Sequence, residues 1–172
     1  MKQLLLFLLL VLCVNASTLQ RVSYVSPQKF SGLWYEIART YNSYQEDCVA
    51  SSVEYVLETE NEYRVYNRCF DTTIGGELIE FSGTATPSQG RTMSRISMTY
   101  FWIFTKEYGV YYLEDDYTSA LVADENFEQV WIMSREPFMK ETTLKKIEEL
   151  LASQINLKRL IYTPQDKKGR YK

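Results

Sequence analysis

Between residues 32 and 135 hydropathy alternates every second residue, in eight short runs divided by polar turns, and no helical period appears. Such alternation gives a strand one apolar face, so each run needs partners on both edges and a core on one side. The runs fall at residues 30–39, 49–58, 63–70, 77–86, 92–100, 110–115, 119–123 and 129–135. The aromatic stretch 100–104 fits either strand or loop. Turn chemistry separates them, notably at 72–76 and in Pro87-Ser88-Gln89-Gly90. Consecutive antiparallel strands of this kind fit an all-β sandwich or an up-and-down barrel.

The first run, Phe-Ser-Gly-Leu-Trp-Tyr-Glu-Ile-Ala-Arg, is the most informative. Alternation places Trp34, Glu36 and Ala38 on one side and Tyr35, Ile37 and Arg39 on the other. Gly32, two residues before the tryptophan, leaves room for a bulky group to approach the strand entrance. After residue 135 the period changes: Leu144, Ile147, Leu150 and Leu151 recur at helical spacing across 141–153. One amphipathic helix therefore lies against the sheet. Asn156 can cap a short turn before a last short strand at 160–163, and 164–172 reads as a polar, basic tail.

The N-terminus has the pattern of a secretory leader. Lys2 precedes the apolar run 4–12, and Val14-Asn15-Ala16 offers small residues for cleavage. The apolar run is short for a bilayer span. A lipid-anchored Cys13 needs a small residue before it, and Leu12 stands there, so Cys13 goes with the leader; a membrane-anchored lipoprotein is the alternative. What remains is long enough for one domain with a sizeable core. Losing Lys2 makes the formal net charge of −3 one unit more negative, which argues against a nucleic-acid surface. For the basic tail, solvation is the plain reading and weak contact with an anionic membrane surface the other. Oligomeric state is left open.

The chain has no histidine. That removes Ser-His and Cys-His nucleophiles, histidine-ligated zinc or haem, and the usual general base. No cofactor or metal is expected. Cys48 and Cys69 remain after leader removal, and an even count in an exported chain favours a disulfide over two free thiols. On neighbouring strands of a hairpin their pairing centres on Glu58–Thr59, at the edge of the polar stretch 58–62. A bulge is then needed to bring them opposite.

Three blocks carry a family resemblance: Gly32-x-Trp34 with Tyr35-Glu36-Ile37-Ala38; Asp115-Asp116-Tyr117 followed by Ala120-Leu121-Val122; and Trp131-Ile132-Met133-Ser134-Arg135-Glu136-Pro137. Phe81-Ser82-Gly83-Thr84-Ala85-Thr86-Pro87 adds a fourth. Together they make the chain, over roughly residues 27–163, resemble the lipocalin family, in particular the branch of the bacterial lipocalins and apolipoprotein D. The second block departs from the family's Thr-Asp-Tyr-x-x-Tyr pattern: Asp115 replaces the threonine and no second tyrosine follows. The resemblance implies an eight-stranded antiparallel up-and-down barrel with one C-terminal helix packed outside, open at one end and holding one small apolar ligand. It also implies that Gly32, Trp34 and Arg135 are structural, the guanidinium stacking on the indole at the closed end.

The function expected is that of a secreted carrier for a small hydrophobic molecule of the fatty-acid, lysolipid, sterol, retinoid or pigment class. The wall residues expected to bind it share Trp34's side of the strands: Glu36, Ala38, Ser51, Val53, Tyr55, Val65, Asn67, Ile79, Phe81, Gly83, Trp131 and Met133. Glu36, Asn67 and Tyr55 can orient a polar head group, and Glu36 is expected to titrate high there and to lack a partner. The portal is expected at loops 41–47, 72–76 and 100–108, with Tyr41, Tyr44, Phe101, Trp102 and Phe104 at the mouth. Equally, these aromatics can form an exposed patch that docks on a membrane or a partner. The rival readings are an extracellular interaction module with a filled barrel and, behind it, a lipid-modifying enzyme using a pocket cysteine or paired acids. No catalytic residue is assigned.

Overall fold

The computed structural model describes residues 18–168. The leader pattern of residues 1–16 and the end of the basic tail lie outside the described residues. A short helix α1 (Pro27–Phe30), started by Ser26, leads into β1 (Gly32–Arg39). Then follow β2 (Cys48–Thr59), β3 (Glu62–Asp71), β4 (Leu78–Pro87), β5 (Arg95–Tyr100), β6 (Phe104–Leu113), β7 (Ser119–Ala123) and β8 (Val130–Ser134). Helix α2 (Glu141–Leu151) and a two-residue strand β9 (Ile161–Tyr162) complete the chain. Every neighbouring pair is antiparallel, and β1 closes the sheet by pairing with both β8 and β2. The result is a closed eight-stranded barrel with β9 added outside along β1. Closure leaves no long unpaired edge among the eight strands.

Two apolar clusters stabilise it. Inside the barrel, Phe30, Trp34, Tyr55 and Tyr63 form a run of tilted rings with centroids 5.0–5.4 Å apart. Outside it, Ile147 and Leu151 of α2 are fully buried against Leu121, Ile132 and Ala38. The expected helical spacing thus serves to cover one flank of the sheet.

Three departures from strict alternation matter for the site. In β1 the register against β8 shifts between Glu36 and Ala38. A bulge changes which face the following residues present, so Ala38 points outward under α2 while Arg39 turns in beside Trp131. In β2 an extra residue lies between Val49 and Ser52, with Ala50 at φ +49°. In β6 the register against β7 shifts between Val110 and Tyr112. The stretch 105–109, expected to be loop, belongs to β6, whose partner β5 continues to Tyr100. The loop expected at 100–108 is therefore a tight turn.

Cys48 and Cys69 form a disulfide, with Cα atoms 5.4 Å apart. They are not directly opposite: the register partner of Cys48 is Asp71, and the bulge at Ala50 sets the offset.

Candidate functional site

The barrel is sealed at one end by Arg135. Its guanidinium carbon lies 3.8 Å from the centre of the Trp34 ring. The same group donates to the carbonyls of Leu33 (2.7 Å), Ser31 (2.8 Å), Lys29 (2.9 Å), Phe30 (3.1 Å) and Tyr117 (3.3 Å). Burial pulls Arg135 down to about 10, which keeps it a cation at neutral pH. Gly32, at φ +95°, is needed here: a Cβ would lie 3.3 Å from the guanidinium in a backbone conformation that side chains disfavour. The Asp115-Asp116-Tyr117 block forms the β6–β7 turn at this end, with Tyr117 at φ +60°.

Above this floor lies a cavity of about 640 Å³. Val53, Tyr55, Met98, Val122 and Met133 supply apolar wall, while Tyr44, Phe81, Phe101, Ile103 and Phe104 also line it. Its polar groups are largely spent on one another. The Asn67 amide donates to the Tyr100 hydroxyl (2.8 Å), the Tyr108 hydroxyl to Gln129 (3.0 Å), and the Trp131 indole to Gln45 (3.2 Å). Lys106 pairs with Asp124 at 3.0 Å. Burial pushes the Tyr55, Tyr100 and Tyr108 hydroxyls up, so they stay neutral donors.

Of the residues expected on the wall, Glu36, Val53, Tyr55, Asn67, Phe81, Trp131 and Met133 line this cavity. Ala38 does not, because the β1 bulge turns it out. Ser51 sits beside the β2 bulge, buried but off the cavity, with its carbonyl accepting from Gln165. Val65 is in the packed floor with Trp34 and Tyr63, and Ile79 lies outside the lining. Gly83 contributes no surface: a Cβ there would come within 2.6 Å of the Thr99 carbonyl and 2.8 Å of the Tyr100 ring, so its role is to let that ring pack. At the mouth, Tyr44, Phe101 and Phe104 line the opening, whereas Tyr41 and Trp102 point to solvent. Sequence reasoning missed Met98, Tyr100, Tyr108, Val122, Gln45 and Gln129. Once 105–109 is recognised as strand, alternation from Met98 to Tyr100 and the Tyr108 ring bring part of that group in; Gln45 and Gln129 have no periodic signal.

Glu36 has partners the sequence did not reveal. Its carboxylate accepts from the Thr163 hydroxyl and from the Gln45 side chain (2.8 Å), and Arg39 Nε lies 3.3 Å away. That nitrogen is not aligned to donate, so its attraction is Coulombic alone; Arg39 donates instead to the carbonyls of Gln45 and Thr40. Burial pushes the Glu36 carboxyl above its ordinary 4.5, outweighing the Thr163, Gln45 and Arg39 contributions that lower it. A raised acid stabilises the fold most below its unfolded value and loses that contribution as pH climbs through the folded one. Glu36→Gln, which mimics the neutral form, should therefore fold and bind at neutral pH. Its melting temperature should fall less than the wild type's as pH rises from about 4.5; parallel profiles would show that burial does not dominate at Glu36.

The segment expected to be free tail is partly built into the wall. Beyond β9, Thr163 N donates to Ile37 O (3.0 Å), Ala50 N donates to Pro164 O (2.7 Å), and the Gln165 amide donates to Glu36 O (2.6 Å) and Ser51 O (2.8 Å). β1 and β2 pair directly only over Gly32–Tyr35 against Ser52–Tyr55. Residues 161–165 bridge the gap where those strands part.

Comparison with known proteins agrees with this architecture. A family model described as a lipocalin-like domain matches residues 25–165. The outer membrane lipoprotein Blc of Vibrio cholerae is 30% identical over 138 residues, covering 79% of this chain and 80% of that protein. A putative lipocalin of Acanthamoeba polyphaga mimivirus is 30% identical over 133 residues, covering 74% and 76%. Among solved structures, insecticyanin from the tobacco hornworm Manduca sexta superposes with a TM-score of 0.70 at 15% identity, covering 88% of this chain and 86% of that one. The family match runs from the lead-in strapped over the floor to the bridging Gln165, and on that extent the chain belongs to the lipocalin family.

Proposed function

We propose that this lipocalin is an exported carrier of one small, predominantly apolar molecule held in the barrel with its polar end at the mouth. The observation that carries the reading is the cavity of about 640 Å³, which is closed below by Arg135 and Trp34 and lined above by apolar side chains. That volume suits a single small ligand. Burial supplies the driving force, at about 0.8 kcal/mol per methylene before association costs. Because the Asn67 amide, the Tyr100 and Tyr108 phenols and the Trp131 indole are paired within the protein, the Tyr55 hydroxyl is one of few directed contacts left inside, which favours a fatty-acid or lysolipid chain over a ligand needing many internal hydrogen bonds. The leader pattern and the disulfide support export, since disulfides persist in oxidising compartments. No helix among the described residues is long and apolar enough to cross a membrane.

A filled interaction module lacks such a hollow. The enzyme reading loses its thiol nucleophile, because Cys48 and Cys69 are bonded to each other.

Titration with a fluorescent fatty acid, beside native mass spectrometry of gently purified protein, tests the carrier reading. Uptake of one probe per chain, or release of an apolar molecule, is expected. Val53→Trp and Val122→Trp fill the hollow and should weaken probe binding about tenfold or more with the fold retained. Undiminished binding in both, or no uptake by the wild type, would falsify the assignment.

A further inference from the structure

The turn between β5 and β6 is unusual for a soluble surface. Phe101, Trp102, Ile103 and Phe104 are consecutive, and their exposures are 65%, 95%, 75% and 66%. Ile103 N donates to Tyr100 O at 3.2 Å, so Phe101 and Trp102 are the two central residues of a tight hairpin turn. Their φ values are +50° and +64°. That turn belongs to Asn-Gly or similar pairs, because left-handed backbone crowds a Cβ, and bulky side chains there are strained. Burial offsets little of the strain, since Trp102 stands almost wholly in solvent and Phe101, at the mouth, is mostly exposed. The fold gains nothing from aromatics at these positions, and an outlier of this kind points to a use outside folding.

The surroundings indicate what the rings meet. The neighbouring end of β4 adds exposed Leu78 and Phe81, and Phe81, Phe101, Ile103 and Phe104 all line the cavity. The apolar surface is therefore a rim around an open hollow. A protein partner fits an apolar centre ringed by polar groups, the reverse arrangement. A second copy placed mouth to mouth would leave two hollows facing each other. A lipid surface fits, because aromatic side chains settle at the boundary between headgroups and acyl chains and the hollow opens directly onto those chains. Charge selects which surface. No charged residue lies between Tyr100 and Thr105, and the neighbouring Lys106 is held by Asp124. The other open-end loops, 40–47, 72–77 and 124–129, carry Glu46, Asp47, Glu77, Asp124, Glu125 and Glu128 and no lysine or arginine, so an anionic surface is repelled and a neutral one remains.

We propose that residues 101–104 dock the barrel, mouth first, on a neutral zwitterionic lipid surface, with the Phe101, Trp102 and Ile103 side chains entering the interface. This goes beyond the carrier reading and is tested without cargo.

The test is co-sedimentation of the purified protein with phosphatidylcholine vesicles, for the wild type and for the variant Trp102→Gly, whose side chain points to solvent and lies off the cavity lining. The wild type is expected to bind, and added salt should not displace it. The variant should bind about tenfold or more weakly, yet melt about 2 °C higher because the strain at Trp102 is gone. It should still take up a soluble fluorescent fatty acid, which keeps failure of docking distinct from failure of the carrier reading. Absence of wild-type binding, equal binding by the variant, or release by salt would overturn the proposal. So would a wild-type dimer that the variant dissociates without vesicle binding by either, since the rim would then serve self-association.

Discussion

Replacement of Arg135 by methionine is expected to cost the fold about 4 kcal/mol, the largest single effect in the molecule. Methionine keeps much of the stem's packing, so what is lost is the guanidinium. Its stack on Trp34, at 3.8 Å, is a partly desolvated cation–π contact worth about 1–2 kcal/mol. The carbonyls of Lys29, Ser31, Leu33 and Tyr117 also lose a charged donor, whereas that of Phe30 keeps the Trp34 indole N–H at 2.9 Å. Arg135→Lys separates the two contributions: it keeps the charge but not the planar fork, and should recover about half of the loss. Urea unfolding followed by fluorescence measures both. A cost below about 1 kcal/mol for Arg135→Met would mean that the floor is sealed by apolar packing alone.

Removal of the disulfide, by Cys48→Ala with Cys69→Ala, should cost about 3 kcal/mol on the chain-entropy account, or about 10 °C in melting temperature. The bridge spans a sequence separation of 21 residues and closes the β2–β3 hairpin near its open end. It lies beside the bulge where Ala50 is held at φ +49°, with its N–H on the Pro164 carbonyl. The effect should therefore be concentrated at the mouth. Hydrogen exchange in the variant is expected to accelerate at residues 48–52 and 68–71 while the floor around Trp34 keeps its protection. Reducing the wild type should reproduce the variant's stability. Uniform acceleration across the barrel would show that the bridge acts on the whole domain, contrary to this assignment.

The strands were legible because a half-buried strand writes its two faces into the sequence, and the helix because its period differs. Trp34 and Arg135 were legible as a pair only through the family resemblance; nothing in their spacing brings residues a hundred apart into contact. The wall residues were legible only where alternation runs unbroken, as from Val53 to Tyr55 and from Trp131 to Met133. At bulges it fails, and one inserted residue in β1 moved Ala38 to the outer face and brought in Arg39, which alternation puts on the side away from Trp34. The stretch 105–109 was obscured differently: Lys106 and Glu107 read as loop, yet they project from a strand into ion pairs with Asp124 and Arg95. Gln45, Thr163 and Gln165 carry no pattern at all. They matter through where separate loops converge on Glu36, which is a property of the closed barrel rather than of any segment.

The bridge formed by residues 161–165 sets an order of events during folding. β1 is among the first elements made, but it takes partners from residues near 53, 133 and 162. Until residues 161–165 arrive, the seam between β1 and β2 has only four paired positions, and Glu36 and Arg39 face an opening. The barrel is therefore completed only once residues 161–165 are available to it, and chains truncated before residue 160 should remain sensitive to protease at residues 36–51.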